Sequence, residues 1–483
     1  MTALPSRILV PIIVASALFM ENLDATVLAT SLPAIARDMG EDPIALKLAL
    51  TSYLLSLAVF IPVSGWMADR FGAKPIFTLA LAVFMLGSVL CGFAATLTDF
   101  VMARILQGLG GAMMVPVGRL VILRSVPKSE LVSALAWFTI PAIVGPIAGP
   151  PLGGFITTYF NWRWIFYINI PIGLLGIALV TRYIEDIREQ NPPPLDLAGL
   201  LLLGTGLSGL VFGLSVLGQN LVPSWLALAM LALGGLFCWL YARHAARTPH
   251  PLLDLGLMRI ATFRASIIGG ALLRISMGAV AFMLPLLFQV GFGLTAFASG
   301  MLTFVTAIGA LAMKFTAAPI LNRFGFRNVL VVTSLVSAAF TGCFSVFTLA
   351  PPHAVILGVL LFAGFFRSLQ VSAVNTLVYA DLAPPSMSQA TSFASAGTQL
   401  SLSLGVTAAA LTLEAAQTLR GDSAILVGDF VTAFLVVAVI GAMSVLIFWH
   451  LPGDAGSELT GKAADSAGLA ADEVAARQSG APG

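Results

Sequence analysis

Fourteen predominantly apolar stretches, each about as long as a helix must be to cross a hydrocarbon layer of about 30 Å, are strung along this chain of 483 residues. They cover 8–35, 44–68, 75–95, 98–123, 131–158, 163–182, 195–217, 222–243, 262–290, 298–320, 328–349, 353–378, 388–414 and 428–451. A soluble fold cannot hold such a pattern. Only 10% of the residues are charged, against about 25% in ordinary soluble domains, so too few polar groups exist to cover a surface in water. In a bilayer the solvent is hydrocarbon, and a helix satisfies its own backbone. The expected class is therefore an all-α integral membrane protein.

Turn residues and charges punctuate the stretches: Gly40-Glu41-Asp42-Pro43, Asp69-Arg70-Phe71-Gly72, Pro127-Lys128, Asn191-Pro192-Pro193-Pro194 and Pro384-Pro385. Arg7 precedes the first stretch, but Glu21 and Asp24 interrupt it, so it reads as a retained helix rather than a cleaved leader. Residues 453–483 turn Ala, Gly, Ser and Glu rich, too polar to bury a core, and read as a disordered cytoplasmic tail. With the N-terminus inside, fifteen of the 24 Lys and Arg fall in inside segments. Four fall outside (Arg37, Lys47, Arg163, Arg420) and five within stretches. That bias predicts a cytoplasmic membrane protein with both termini in the cytoplasm.

Cys91, Cys238 and Cys343 all sit in apolar runs and read as small buried hydrophobes, not as a disulfide framework or a metal set. The four histidines lie in loops or at stretch ends, with no His-Glu metal spacing and no nucleophile elbow, which argues against an enzyme. Gly461-Lys462 lacks the upstream glycine and the hydroxyl residue of a phosphate-binding loop, which argues against an ATP-driven pump. No cofactor, metal or nucleic acid is expected. A channel would be expected to use a filter or a ring of like charges from repeated subunits. This chain has instead an internal repeat: Ala68-Asp69-Arg70-Phe71-Gly72-Ala73-Lys74 after the second stretch, and Leu321-Asn322-Arg323-Phe324-Gly325-Phe326-Arg327 after the tenth. Duplicated halves mark transporters. The register gives a six-helix bundle at 8–182, an inserted helix pair at 195–243 and a second six-helix bundle at 262–451.

Four motifs stand in order. Gly65-Trp66-Met67-Ala68-Asp69-Arg70-Phe71-Gly72-Ala73-Lys74 resembles the loop 2–3 signature of the major facilitator superfamily. The run from Leu23-Asp24 to Ile35-Ala36 resembles the first-helix motif of its fourteen-helix drug:proton antiporter branch. Arg104-Ile105-Leu106-Gln107-Gly108-Leu109-Gly110-Gly111-Ala112 resembles the fourth-helix motif, and Gly145-Pro146-Ile147-Ala148-Gly149-Pro150-Pro151-Leu152-Gly153-Gly154 the fifth-helix motif of antiporters. Within the branch the chain resembles the MdtD-type group of bacterial multidrug transporters. The resemblance implies the major facilitator fold with fourteen helices, and proton-coupled export of small amphipathic molecules by alternating access. The implied partners are a small-molecule substrate, protons and lipid, in a monomer.

The resemblance assigns Gly65, Asp69, Arg70, Gly72, Lys74 and Arg323 to a conformational latch; an ordinary basic turn would look similar. Asn322 stands where the first half has Asp69, which predicts a weaker second latch. In the fifth stretch Gly145, Gly149, Gly153 and Gly154 let backbones touch, and Pro146 and Pro150 remove donors, as suits a seal between rocking halves or simple close packing.

Charges within the stretches carry the most weight, because each is costly in hydrocarbon. Glu21 and Asp24 are three apart and expected to share a helix face. Asp24 is the first expectation for proton coupling, with Glu21 second; the alternative is a structural carboxylate paired with Arg104. Arg119, Arg274 and Arg367 suit a carboxylate or phosphate. Acidic residues are scarce in the second half, with Glu414 near the end of its stretch, and this leans toward anionic or zwitterionic cargo, such as organic anions or metal–anion chelates. Gln107, Gln289, Asn375 and Gln399 are expected polar cavity contacts. Phe19, Tyr53, Trp137, Phe282, Phe288 and Phe393 line an amphipathic pocket or pack against lipid.

Overall fold

The computed structural model describes residues 6–125, 131–185, 194–217, 222–349, 352–382, 386–421 and 425–456. Among these no strand occurs. The first helices are α1 (Ser6–Met39), α2 (Lys47–Phe71), α3 (Ala73–Phe93), α4 (Leu97–Ser125), α5 (Leu131–Tyr159), α6 (Trp164–Tyr167) and α7 (Asn169–Tyr183). Next come α8 (Leu197–Val216) and α9 (Ser224–Ala245). The last are α10 (Ala261–Leu286), α11 (Ala296–Lys314), α12 (Ala317–Phe324), α13 (Phe326–Cys343), α14 (His353–Leu377), α15 (Met387–Arg420), α16 (Val427–Ala442) and α17 (Ser444–Trp449). Thirteen helical stretches among the described residues are long and apolar enough to cross a membrane. The expected span at 131–158 coincides with the 29-residue α5, which is outside those thirteen. The polar tail from 457 and the breaks at 127–128, 191–193 and 384–385 lie outside the described residues.

Several expected boundaries move, and the charges move with them. Arg37 lies in the last turn of α1, and Lys47 opens α2, so neither is a loop residue. Asp69, Arg70 and Phe71 form the last turn of α2; Gly72 alone makes the turn, at φ +101°. Gly325 does the same between α12 and α13, at φ +76°. Those two turns need a residue without a Cβ, which is why the repeat keeps a glycine there.

Helix α1 packs on α4, α5 and α7; α3 packs on α4 and α7; α2 packs on α4. In the later part α10 packs on α14, α15, α16 and α17, and α11 and α13 pack on α14. Helices α8 and α9 pack on each other, and α8 rests on α2 and α15. The early and late groups meet chiefly through α5 on α11 and α2 on α15.

The core explains which end is shut. Toward the Met39 end one apolar cluster is shared by both groups, with Leu28 and Ile35 beside Phe288 and Phe434. Toward the other end there are two separate clusters, one around Phe77 and Ile122, the other around Leu330 and Phe448. Glycines of α5 bring its backbone against α1 from beside the cavities toward the Met39 end. A Cβ on Gly145 would crowd Asn22, one on Gly149 would strike Thr26, and one on Gly153 would lie 2.9 Å from the Val27 Cα. Gly154 turns the other way, against Ala296 and Phe297 of α11, and Gly300 of α11 sits on the Pro150 carbonyl.

Gly65 differs: nothing lies within 4 Å of where its Cβ would be. Gly153→Ala is therefore predicted to destabilise by about 1–3 kcal/mol through overpacking. Gly65→Ala, in an open helix interior, is predicted to be neutral or to stabilise by about 0.5–1 kcal/mol. Thermal unfolding of the two variants in detergent checks the contrast.

Candidate functional site

Arg104 and Gln107 lie three apart on α4 and so share one face. The glycines around them decide what that face meets. Gly108 sits against Ser56 and the Tyr53 carbonyl of α2, Gly110 against Phe84 and the Ala80 carbonyl of α3, and Gly87 of α3 against the Gln107 backbone. Helix α4 therefore nests between α2 and α3, and its polar face reaches α1. Arg104 Nη1 donates to Asp24 Oδ2 at 2.6 Å, and Gln107 Nε2 to Asp24 Oδ1 at 2.9 Å. Asn169 Nδ2 of α7 also donates to Asp24 Oδ1, at 3.2 Å. Gln107 and Asn169 both donate to Ser88 of α3. The Arg104 guanidinium stacks over the Tyr53 ring, 4.1 Å from its centre. Arg104 and Asp24 are 0% and 3% exposed. The structure thus joins Asp24, Arg104 and Gln107 in one closed knot.

Glu21 takes a different course, although it precedes Asp24 by less than a turn. It lines a cavity of about 450 Å³ between the early and late helices, with Asn22, Arg119 of α4, Arg274 of α10, Asn375 of α14 and Gln399 of α15. One Glu21 carboxylate oxygen is buried there without a hydrogen-bond partner. Arg274 Nη2 donates to Asn375 Oδ1 at 2.8 Å. A second cavity of about 360 Å³ adjoins the first, since Met277 and Val371 line both. It is mostly apolar, with Thr26 and Thr30 of α1, Pro146 and Pro150 of α5, Phe344, and Arg367 of α14 as its one charged residue. None of the ion pairs among the described residues includes Arg119, Arg274 or Arg367.

Other expected contacts fall elsewhere. Gln289 leaves the cavities and donates across the groups to the Thr30 carbonyl at 2.7 Å. The aromatic lining is Phe344 and Tyr379, not the residues expected. Tyr53 serves Arg104, Phe282 and Phe288 are buried core, and Phe393 packs on Phe263. Trp137 is among the residues whose side chains are not described.

Of the latch residues, Lys74 Nζ donates to the Thr181 carbonyl of α7, a bond inside the early group. Gly65 and Asp69 line a small cavity with Asp196, Leu252 and Gln389. Arg70 is exposed, and Arg323 sits in the last turn of α12.

Several contacts join residues that the sequence motifs do not mark. Lys47, wholly buried, pairs with Glu414 at 2.8 Å and joins α2 to α15 at the shut end. Asp429 opens α16, where Arg420 pairs with it at 2.6 Å. In the later group Gln370 Nε2 donates to Ser334 Oγ at 2.7 Å, matching Gln107 on Ser88 at 2.8 Å. The signal was present in the chain: Arg104-Ile105-Leu106-Gln107 and Arg367-Ser368-Leu369-Gln370 share Arg-x-Leu-Gln. The copy around Arg367 has no counterpart of Asp24.

Outside the spans, Asp196 caps α8. Burial raises its pKa, but hydrogen bonds from the Gly199 amide, His244 and the Leu252 amide outweigh this and hold it below the usual carboxylate range.

The Major Facilitator Superfamily profile matches residues 14–262 and 266–477. A protein of Klebsiella pneumoniae subsp. pneumoniae named "Putative multidrug resistance protein MdtD" is 39% identical over 461 residues, 95% of this chain and 98% of that protein. Its namesake in Salmonella typhimurium is 38% identical over 448 residues, 92% and 94% of the two chains. The solved xylose transporter XylE from E. coli superposes with a TM-score of 0.61 at 14% identity, over 92% of this chain and 97% of that one.

Removing one partner of a buried pair strands the other charge. Asp24→Asn or Arg104→Gln should each destabilise by about 3–5 kcal/mol, and the double variant by less than the sum. A double-mutant cycle of unfolding in detergent measures this. For Asp196 the sign follows from its lowered pKa: the ionised group stabilises above the ordinary carboxylate range, and the contribution fades as pH falls through the depressed value. Asp196→Asn should therefore lower the melting temperature at neutral pH, and the gap should close in strong acid.

Proposed function

The chain belongs to the major facilitator superfamily, and on that premise we propose that it is a proton-coupled antiporter that exports small amphipathic molecules across the cytoplasmic membrane. In this reading α5 is the fourteenth span, α1–α7 and α10–α17 are two six-helix halves, α8 and α9 are an inserted pair, and both termini are cytoplasmic. The observation that carries it is Glu21: a carboxyl with an unpartnered buried oxygen, inside a cavity between the two halves. A carboxyl so placed can take up and release a proton as access alternates. Asp24 accepts from three side chains, Arg104, Gln107 and Asn169, and holds α1 to α4, so in this reading Glu21 takes the role first expected of Asp24.

The adjoining apolar cavity suits the body of an amphipathic substrate. Contacts between halves at the Met39 end support a state closed there: Lys47 with Glu414, Gln289 with Thr30, the Phe297 amide on Thr158, and Ser403 on the Thr51 carbonyl. Breaking these while closing the Gly72 end is the motion that alternating access requires. The name of the MdtD relatives supports a multidrug range. A second reading is favoured by Arg274 and Arg367, which line the cavities without an acidic partner among the described residues: export of an organic anion or a metal–anion chelate.

Internal pH in proteoliposomes with a preset proton gradient tests both. Ethidium should trigger proton movement in wild type, and Glu21→Gln should abolish it while melting like wild type. Movement triggered only by citrate, and lost in Arg274→Gln and Arg367→Gln, would establish the second reading. Full proton movement in Glu21→Gln would remove Glu21 as the carrier.

A further inference from the structure

Helix α9 is the least covered of the long helices. It packs on α8, and its outer face carries Trp225, Leu228, Leu233, Leu236 and Trp239, all about half exposed or more. Trp225 and Trp239 lie fourteen residues apart, about 21 Å along the axis, and tryptophan settles at the two membrane–water boundaries. Just beyond Trp239 is a surface pocket of about 370 Å³ lined by Leu240, Arg243, His244 and Arg247. These residues are spaced i, i+3, i+4 and i+7, so they form one face.

Three features prepare that face for an anion. The Arg243 guanidinium stacks on the Trp239 ring, 4.9 Å from its centre, which fixes its direction. Neither Arg243 nor Arg247 has an ion-pair partner among the described residues. The nearby carboxylate, Asp196, is occupied by His244 at 2.7 Å and by the amides of Gly199 and Leu252. The C-terminal end of a helix disfavours an anion, but two of its last carbonyls here, those of Ala242 and His244, accept from the amides of Ala246, Arg247 and Thr248. Two free guanidinium groups therefore dominate the local field. Above them Leu236 and Trp239 offer apolar surface.

We propose that the α9 face from Trp239 to Arg247 binds the phosphate of an anionic phospholipid, with an acyl chain lying along Leu236 and Trp239. The chemistry is that of a phosphate group joined to a long apolar chain, so free phosphate satisfies only half of it. A bound phosphate lies beside His244, which through Asp196 holds Leu252 against the cavity of Asp69 and Gln389. The lipid would thus brace the inserted pair where it meets both halves. The site depends on the chain lying in a membrane and not on any particular cargo.

The test is native mass spectrometry of the purified full chain in detergent, titrated with phosphatidylglycerol, phosphatidylcholine or inorganic phosphate. Wild type should retain phosphatidylglycerol over phosphatidylcholine, and Arg243→Gln/Arg247→Gln should lose that preference. Arg259→Gln/Arg264→Gln removes the same charge elsewhere and should keep it. Brominated phosphatidylglycerol should quench a part of the tryptophan fluorescence that Trp239→Phe lacks. Equal retention in wild type and the Arg243/Arg247 variant, equal loss in both double variants, or full displacement by inorganic phosphate would overturn the assignment. Transport is not the readout, so failure here is distinct from failure of the antiport reading.

Discussion

Lipid tails are as apolar as leucine, so helices in hydrocarbon gain little by burying leucine against leucine. They are held by close backbone contact and by polar groups that have no better partner. Both devices converge on α1. Its one side is gripped by α5 through Gly145, Gly149 and Gly153, and its other by α4 through the Asp24–Arg104 pair. That pair is held by Gln107, Asn169 and the Tyr53 ring, so it ties α1 to α4. Because the tie fixes the rotation of α1, Glu21 is aimed into the cavity.

The two groups of helices are alike in outline and unlike in charge. Each has an arginine followed by a glutamine on a serine: Arg104, Gln107 and Ser88 in one, Arg367, Gln370 and Ser334 in the other. Among the described residues only the first has a carboxylate paired with its arginine. Arg367 instead borders the apolar cavity, and Arg274 and Arg119 border the polar one. Between them the cavities hold one carboxylate and three guanidinium groups, an asymmetry that makes the charge of the cargo the decisive property to measure.

Much of this was legible in the chain. The apolar stretches mark the helices because hydrocarbon accepts little else, and the paired Arg-Phe-Gly turns mark the duplication because Gly72 and Gly325 both need positive φ. The glycines of α5 could be read as contact points, since only glycine lets backbones touch. Gly65 shows the limit of that reading: it belongs to a motif but faces open space.

Which way a polar side chain faces was not legible, because rotation about a helix axis is set by neighbours distant in sequence. Glu21 and Asp24, three residues apart, were expected to share a helix face; α4 and α7 enclose one and the cavity receives the other. Lys47 was expected in an outside loop and Glu414 near the end of its stretch, and only the meeting of α2 with α15 pairs them. That the chain forms apolar helices long enough to cross a membrane could be read from composition and local turn chemistry, because each helix satisfies its own backbone. Only the folded arrangement encloses Asp24 and leaves Glu21 lining the cavity, since that depends on contacts made across 80 to 145 residues of chain.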